Sequence, residues 1–475
     1  MINEILAAGA AVANLQNFLI MAAGIWGGVI VGAIPGMTGT MAVTLALPFT
    51  FYMAPVPSIL LLVALYKGST YGGSVSAILI KTPGTASAAC TALDGYPLAR
   101  QGKGGKALNM ALYSSVIGDF LSNISLIFFA APLALLALHI GPPEFFMLML
   151  FALTTVAGVS GGSLLLGMVS AALGLLLATV GEDLYGSFRF AFVPDMQAGL
   201  SIAPVLIGLF ALPELIKLVV MRAAKTDEAA PLGAQHVTRE EFMGSLRSIL
   251  KGSVIGSILG AIPGIGPSSA AFFSYGEAQR SSKNGANFGK GELEGIAASE
   301  SANNGACGAT MIPLLALGVP GDVITGVMLG AFMLFIGMLF SSVLLFFAGK
   351  ITMRMFTKVA LIPQTLLTPL VLLLCIFGIY SIASSTFDVA VLLVMGLVGF
   401  GMFLLNIPAA PFLIAFILGP MIEENLRRAL AISRGDPAVL LSSPITWAFA
   451  ALIIFVLGLT VRREFSKSKE RRVQQ

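Results

Sequence analysis

The ten residues VGAIPGMTGT (Val31 to Thr40) return as LGAIPGIGPS (Leu259 to Ser268), 228 positions later. Each copy lies in an apolar segment and leads to a second Pro-Gly break. After the first copy comes STYGGSVSAILIKTPGTAS (Ser69 to Ser87), and after the second ESANNGACGATMIPLLALGVPGD (Glu300 to Asp322). Proline and glycine interrupt helices and release backbone groups that lipid cannot satisfy. Breaks of this kind must be buried in protein or line a cavity. Paired interruptions in the two halves of a membrane chain point to a transporter's binding site.

Composition makes the membrane reading firm. Hydrophobic residues are 57% of 475 and charged residues only 11%, with a mean hydropathy of +0.93. Soluble domains carry about 25% charged residues. The expected fold is all-α and polytopic, with about twelve transmembrane helices, give or take two, at roughly 20 residues each. Uninterrupted candidates are Ala107 to Leu138, Phe145 to Gly158, Leu164 to Val180 and Ile202 to Met221. Later ones are Val323 to Ala348, Val359 to Tyr380, Val389 to Leu405 and Ile445 to Val461. The segments around Pro35, Pro83, Pro263 and Pro320 read as broken helices or re-entrant hairpins.

Lys225 to Ser245 is the one long polar stretch inside the chain and separates halves that each carry one copy of the repeat. The organisation expected is a first transmembrane repeat over 1–221, a cytoplasmic linker over 222–250, a second repeat over 251–461 and a basic cytoplasmic tail over 462–475. Basic residues at Arg100, Lys103, Lys106, Arg222 through Lys251, Lys350, Arg354, Lys358 and Arg462 to Arg472 mark cytoplasmic segments. The segment Gly181 to Gly199 is acidic and should face outward, whereas the mixed charges of Glu277 to Glu294 leave its side open. The N-terminus lacks a basic n-region and is expected to be retained.

A broken helix offers free N–H groups to anions at the start of its second half and free carbonyls to cations at the end of its first. Candidate substrate contacts are Pro35, Gly36, Thr38, Gly39, Pro83, Gly84, Thr85, Pro263, Gly264, Ser268, Pro320 and Gly321, with Tyr71, Gly72, Gly73, Ser74 and Thr82 beside them. Thr40, Ser301, Asn303 and Asp322 are candidates for a coupling cation. Small residues also mediate tight helix packing, which is the competing explanation. Lys81 is unusual inside an apolar run and would meet either a substrate carboxylate or, by snorkelling, the interface. Asn303 and Asn304 supply amides, and Glu300 could add a negative charge for a proton or sodium ion unless it caps a helix in water. Asp119 and Asn123, one turn apart, form either a polar stripe or an interhelical hydrogen bond.

Other chemistries find no support. The three cysteines (Cys90, Cys307, Cys375) lack metal or disulfide spacing, and GKGGKA (Gly102 to Ala107) is not a phosphate loop. GVSG (Gly158 to Gly161) resembles a membrane-protease serine motif, but the two histidines, His139 and His236, do not make a buried dyad with it. An enzyme and a nucleic-acid binder are therefore not expected. A passive anion or solute channel is the alternative to a carrier.

The segments Tyr71 to Leu108, Phe288 to Asp322 and Glu424 to Asp436 together resemble the large permease subunit of the tripartite tricarboxylate transporter family, TctA type. This resemblance implies a bacterial inner-membrane, multi-pass symporter with a cytoplasmic C-terminus, built from inverted repeats. It also implies a small membrane subunit and a periplasmic solute-binding protein as partners. The implied cargo is an organic anion of the tricarboxylate or dicarboxylate class, driven by sodium or protons with alternating access and without a cofactor. Members often carry Asn-Ile-Pro-Gly or Asn-Thr-Pro-Gly where this chain has Lys81-Thr82-Pro83-Gly84.

Overall fold

The computed structural model describes residues 14–34, 37–81, 83–137, 140–159, 164–183, 186–220, 233, 236–262, 266–317, 335–359 and 364–473. The first half holds α1 (Leu15–Ala33), α2 (Gly39–Thr50), α3 (Pro55–Ile80), α4 (Ala88–Leu98), α5 (Gly104–Ala137), α6 (Pro142–Val159), α7 (Leu164–Ala178) and α8 (Ile202–Val220). The second holds α9 (Arg239–Gly260), α10 (Gly266–Ser281), α11 (Leu293–Ala309), α12 (Met311–Leu317), α13 (Phe335–Val359), α14 (Gln364–Ala383), α15 (Thr386–Leu404), α16 (Ala409–Ile432) and α17 (Pro444–Val473). Among the described residues the only strands are β1 (Gly181–Glu182) and β2 (Phe188–Arg189), an antiparallel pair.

The chain is an all-α, multi-pass membrane protein. Among the described residues four stretches are long and apolar enough to cross a bilayer: Leu15–Ala33, Ala88–Phe129, Thr386–Leu404 and Ala409–Ile432. Six further apolar helices among these residues are shorter, so twelve crossings do not follow from their helix length. Of the candidate spans, Val323 to Ala348 lies partly outside the described residues, and α9 already begins within the stretch read as linker.

Local chemistry sets the helix starts. The Asn14 side chain accepts a hydrogen bond from Asn17 N at 2.7 Å to cap α1, and Thr38 accepts one from Met41 N at 3.2 Å to cap α2. Helix α9 opens with a reciprocal capping box between Thr238 and Glu241. Burial pushes the Glu241 carboxyl up, but hydrogen bonds from Lys106 and Thr238 outweigh it and hold the group below its ordinary range.

Two helix pairs approach backbone to backbone at glycines. Gly28 and Gly32 of α1 lie on α3 so closely that a Cβ would sit 2.4 Å from Leu65 O and Ser69 O respectively. Gly256 of α9 lies on α11 in the same way, with a Cβ 2.4 Å from Ala302 O. Gly24, Gly28 and Gly32 precede the first AIPG, and Gly252, Gly256 and Gly260 precede the second, at the same 228-residue spacing. Close backbone approach is what glycine permits in lipid, where dispersion rather than hydrophobicity holds helices together.

These contacts also fix direction. Along α1, Gly24, Gly28 and Gly32 meet successively later residues of α3, so the two run parallel; Gly252, Gly256 and Gly260 meet Ala298, Ala302 and Ala306, so α9 and α11 do too. Helices α3 and α11 are antiparallel, because Thr70 meets Cys307 and Ser74 meets Glu300. Helix α1 thus runs opposite to α9, and the α1–α2 pair enters opposite to α9–α10; Ser58 Oγ of α3 donates to Thr50 O at 2.9 Å, closing the turn between α2 and α3. The segment Glu277 to Glu294, whose side the charges left open, lies with the basic loop: Gln101 Nε2 donates to Lys290 O at 2.8 Å.

Candidate functional site

Helices α3, α4, α5 and α11 converge on one carboxylate. Glu300 lies about two turns into α11 and is 0% exposed. Ser74 of α3 donates to its Oε1 at 2.5 Å, and Thr91 of α4 donates to the same oxygen. Ser115 of α5 donates to Oε2 at 2.8 Å, and the Asn304 amide reaches Oε2 at 3.4 Å while donating to Ser115 Oγ at 2.9 Å. Among the described residues Glu300 has no ion-pair partner. Four neutral donors from four helices solvate it instead.

A second buried carboxylate ties the helix of Thr91 to the start of α11. Asp94, one turn beyond Thr91 on α4, accepts from Gly291 N at 2.9 Å, Glu292 N at 2.8 Å and the Tyr275 hydroxyl at 2.8 Å. It caps the start of α11 from a neighbouring helix, where a negative group also meets the helix dipole favourably. Gly295 leaves room for this carboxylate: a Cβ there would lie 2.1 Å from Asp94 Oδ2. The cap sets the register that brings Thr91 to Glu300.

One turn along α5 from Ser115 lies a buried ion pair. Lys67 Nζ of α3, 1% exposed, donates to Asp119 Oδ2 at 3.1 Å, Asn123 Oδ1 at 3.1 Å and Met338 O at 2.8 Å. Ser342 of α13 donates to Asp119 Oδ2 at 2.5 Å, and the Asn123 amide donates to Ser342 Oγ at 2.8 Å. Lys67 and Asn304 stand at matching places in the two helix pairs, each just before the glycine (Gly68, Gly305) that packs on α1 or α9. Together these groups make a polar spine through an apolar core.

The structure brings several expected residues to this spine and leaves others elsewhere. Tyr71, Gly72, Gly73 and Ser74 are buried on α3, and Ser301, Asn303 and Asn304 on α11. Asn303 is 0% exposed, with its amide beside the Glu300 carboxyl but without a well-aligned hydrogen bond among the described residues. Gly84 N donates to Gly73 O at 3.2 Å, and a Cβ on Gly84 would lie 2.1 Å from Gly32 O, so this break abuts the end of α1. Thr85 caps α4, donating no contact to the spine: its Oγ1 accepts from Ala88 N at 3.3 Å. Thr38, Thr40 and Ser268 are half-buried at the starts of α2 and α10, with Gly39 buried beside them. Pro83 is exposed. Pro35, Gly36, Thr82, Pro263, Gly264, Pro320, Gly321 and Asp322 lie outside the described residues.

The structure bears on three alternatives that the sequence leaves open. Glu300 is not a cap in water but fully enclosed. Asp119 and Asn123 do make an interhelical bond, to Lys67 and Ser342. Lys81, expected either in a cavity or at the interface, is exposed at the end of α3 in a left-handed conformation (φ 55), with its ammonium 5.5 Å from the Tyr96 ring centre.

A family profile described as "Tripartite tricarboxylate transporter TctA family" matches residues 18–414. The chain belongs to that family. Two Agrobacterium vitis proteins are similar across the TctA region. One, described as "Uncharacterized 52.8 kDa protein in TAR-I ttuC' 3'region", is 35% identical over 452 residues, covering 90% of this chain and 89% of its own length. The other, "Uncharacterized protein in TAR-II ttuC' 3'region", is 37% identical over 221 residues, covering 42% of this chain and 90% of its own. No solved structure matches the chain. In this TctA member the segments that carry the family resemblance, Tyr71 to Leu108 and Phe288 to Asp322, supply Ser74, Thr91, Asp94, Glu300 and Asn304.

Proposed function

We propose that this chain is the large permease subunit of a binding-protein-dependent secondary transporter. It imports an organic carboxylate of the tricarboxylate or dicarboxylate class by sodium or proton symport with alternating access. The two halves act as inverted repeats, α1–α2–α3 against α9–α10–α11. The observation carrying this reading is the pair of hairpins that enter from opposite ends and pack on the helices of the spine. Broken helices at matching places in opposed repeats are how carriers hold anions on N–H groups and cations on carbonyls near the bilayer centre.

The Asn303 amide, which lies beside Glu300 without a well-aligned hydrogen bond, supports a ligand at this level, since a buried amide left unsatisfied costs on the order of 1–3 kcal/mol. Full enclosure of the spine fits the occluded state of a carrier better than an open pore. Binding of cargo and ion together, but neither alone, permits the transition that couples their fluxes. The partners in this reading are a small membrane subunit and a periplasmic solute-binding protein. The latter docks at the end formed by 181–199, where Glu182, Asp183, Arg189 and Glu423 border a cavity of about 500 Å³. The membrane is the bacterial inner membrane and the C-terminus is cytoplasmic.

The test is uptake of labelled citrate and C4 dicarboxylates into proteoliposomes holding the chain and both partners. Saturable uptake driven by an imposed sodium or proton gradient is expected. Flux indifferent to both gradients contradicts symport, and single-channel currents would favour a channel.

A further inference from the structure

We propose that Glu300 is the residue that carries a coupling proton: its carboxyl takes up H⁺ from water on one side of the membrane and returns it on the other. This rests on the transport reading above and chooses between its two ions. No bond other than the carboxyl O–H forms or breaks.

Among the described residues Asp94, Asp119 and Glu300 are fully buried carboxylates; Asp119 on α5 and Glu300, which meets Ser115 one turn away on α5, differ in what neutralises them. Asp119 has the Lys67 ammonium at 3.1 Å. Among the described residues Glu300 has only hydroxyls and amides. An ionised group without a countercharge at this depth costs at least about 2.5–3.5 kcal/mol, and such residues typically mark ion pathways and proton relays. Glu300 is therefore the spine's free acceptor of a positive charge.

Geometry favours a proton over a metal cation. Both Glu300 oxygens are already in direct contact with donors, Ser74 at 2.5 Å, Ser115 at 2.8 Å and Thr91. A metal ion would have to part these oxygens and their donors. A proton needs less, because a hydroxyl both donates and accepts, and rotation alone converts it from donor to acceptor. Thr91 has somewhere to turn: its Oγ1 is 3.1 Å from Ser299 Oγ. The cluster can thus serve both protonation states without moving a helix.

The surrounding titratable groups do not compete. Helix α3 brings Tyr71 and, two turns away, Lys67, which is committed to Asp119 on α5. Helix α4 brings Cys90 and the fully hydrogen-bonded Asp94, and α10 brings Tyr275, which donates to Asp94. On α9 the nearest cation is Lys251, turned to Glu277 of α10 at 3.7 Å. Helix α12, MIPLLAL, carries no ionisable side chain.

The experiment is infrared difference spectroscopy between acid and alkaline pH on the full chain in lipid nanodiscs, paired with uptake of labelled carboxylates by the three-component transporter. A protonated-carboxyl stretch is expected to appear on acidification and to be lost in Glu300→Gln, whose uptake no longer responds to an imposed pH gradient. If Glu300→Gln fails to reach the membrane, Ser74→Ala keeps the carboxyl and removes one donor, and must shift the pH midpoint of the band by about one unit. A band that survives Glu300→Gln, an unchanged midpoint in Ser74→Ala, or wild-type uptake that follows sodium alone overturns the proposal. A Glu300 band without uptake of any carboxylate supports the proton site and overturns the transport reading instead.

Discussion

Asp119→Asn isolates the charge that holds Lys67 in the core. The substitution keeps the side chain's shape and an oxygen for the lysine to donate to. It removes only the countercharge, leaving the ammonium with Asn123 Oδ1 at 3.1 Å and Met338 O at 2.8 Å. Removing one partner of a buried pair costs about 3–5 kcal/mol, because a charge is stranded. These acceptors, with the amide oxygen the substitution keeps, place the expected loss at the lower end, about 3 kcal/mol. Neutral hydrogen bonds between transmembrane helices average about 0.6 kcal/mol, so they cannot imitate a loss of that size. Replacing both partners, Lys67→Met with Asp119→Leu, should restore stability to within about 1 kcal/mol, since an apolar pair of similar volume avoids the desolvation of two ions. Unfolding of the purified chain by SDS in mixed micelles measures wild type, Asp119→Asn and the double variant. An Asp119→Asn variant within about 0.5 kcal/mol of wild type, or a double variant no better than it, would refute the argument.

Gly256→Ala should destabilise strongly, because its Cβ would lie 2.4 Å from Ala302 O, whereas Gly401→Ala meets nothing within 4 Å and should gain up to about 1 kcal/mol from helix propensity; thermal melts of both decide this. Asp94→Asn weakens the cap on α11, and faster hydrogen exchange at Gly291 and Glu292 is the expected sign; unchanged exchange would contradict it. The Lys106–Glu241 contact at 2.6 Å supplies a pH dependence of known sign. Because the Glu241 carboxyl is lowered in the fold, its contribution is complete above the unfolded carboxylate range and lost as pH falls through the folded value. Exchange at the start of α9 should therefore quicken below about pH 4.5, and Glu241→Gln should remove that step.

Much of this was legible in the residues, for identifiable reasons. The repeated AIPG and the glycines before it encode where backbones can touch, and the structure places both glycine series at helix contacts. ESANNG was visible as a polar run in an apolar setting, and three of its residues line the spine. Lys67 is the sole charge in the 26 residues of α3 but adjoins no break or motif that marks it. Lys81 adjoins a Pro-Gly break, yet the end of α3 leaves it in the open. Thr91 and Ser115 had no signal of their own. A hydroxyl in an apolar helix usually bonds its own backbone, and only the packing of α4 and α5 on α11 turns these two onto a carboxylate.

The central claim is that cargo binds on the spine between the two opposed hairpins. An experimental density map of the transporter loaded with citrate or a C4 dicarboxylate tests it most directly. The account predicts ligand density against α3 and α11, within hydrogen-bonding reach of the Asn303 amide. Density confined to the cavity beside Arg189 and Glu423, with none at the Asn303 amide, would contradict it.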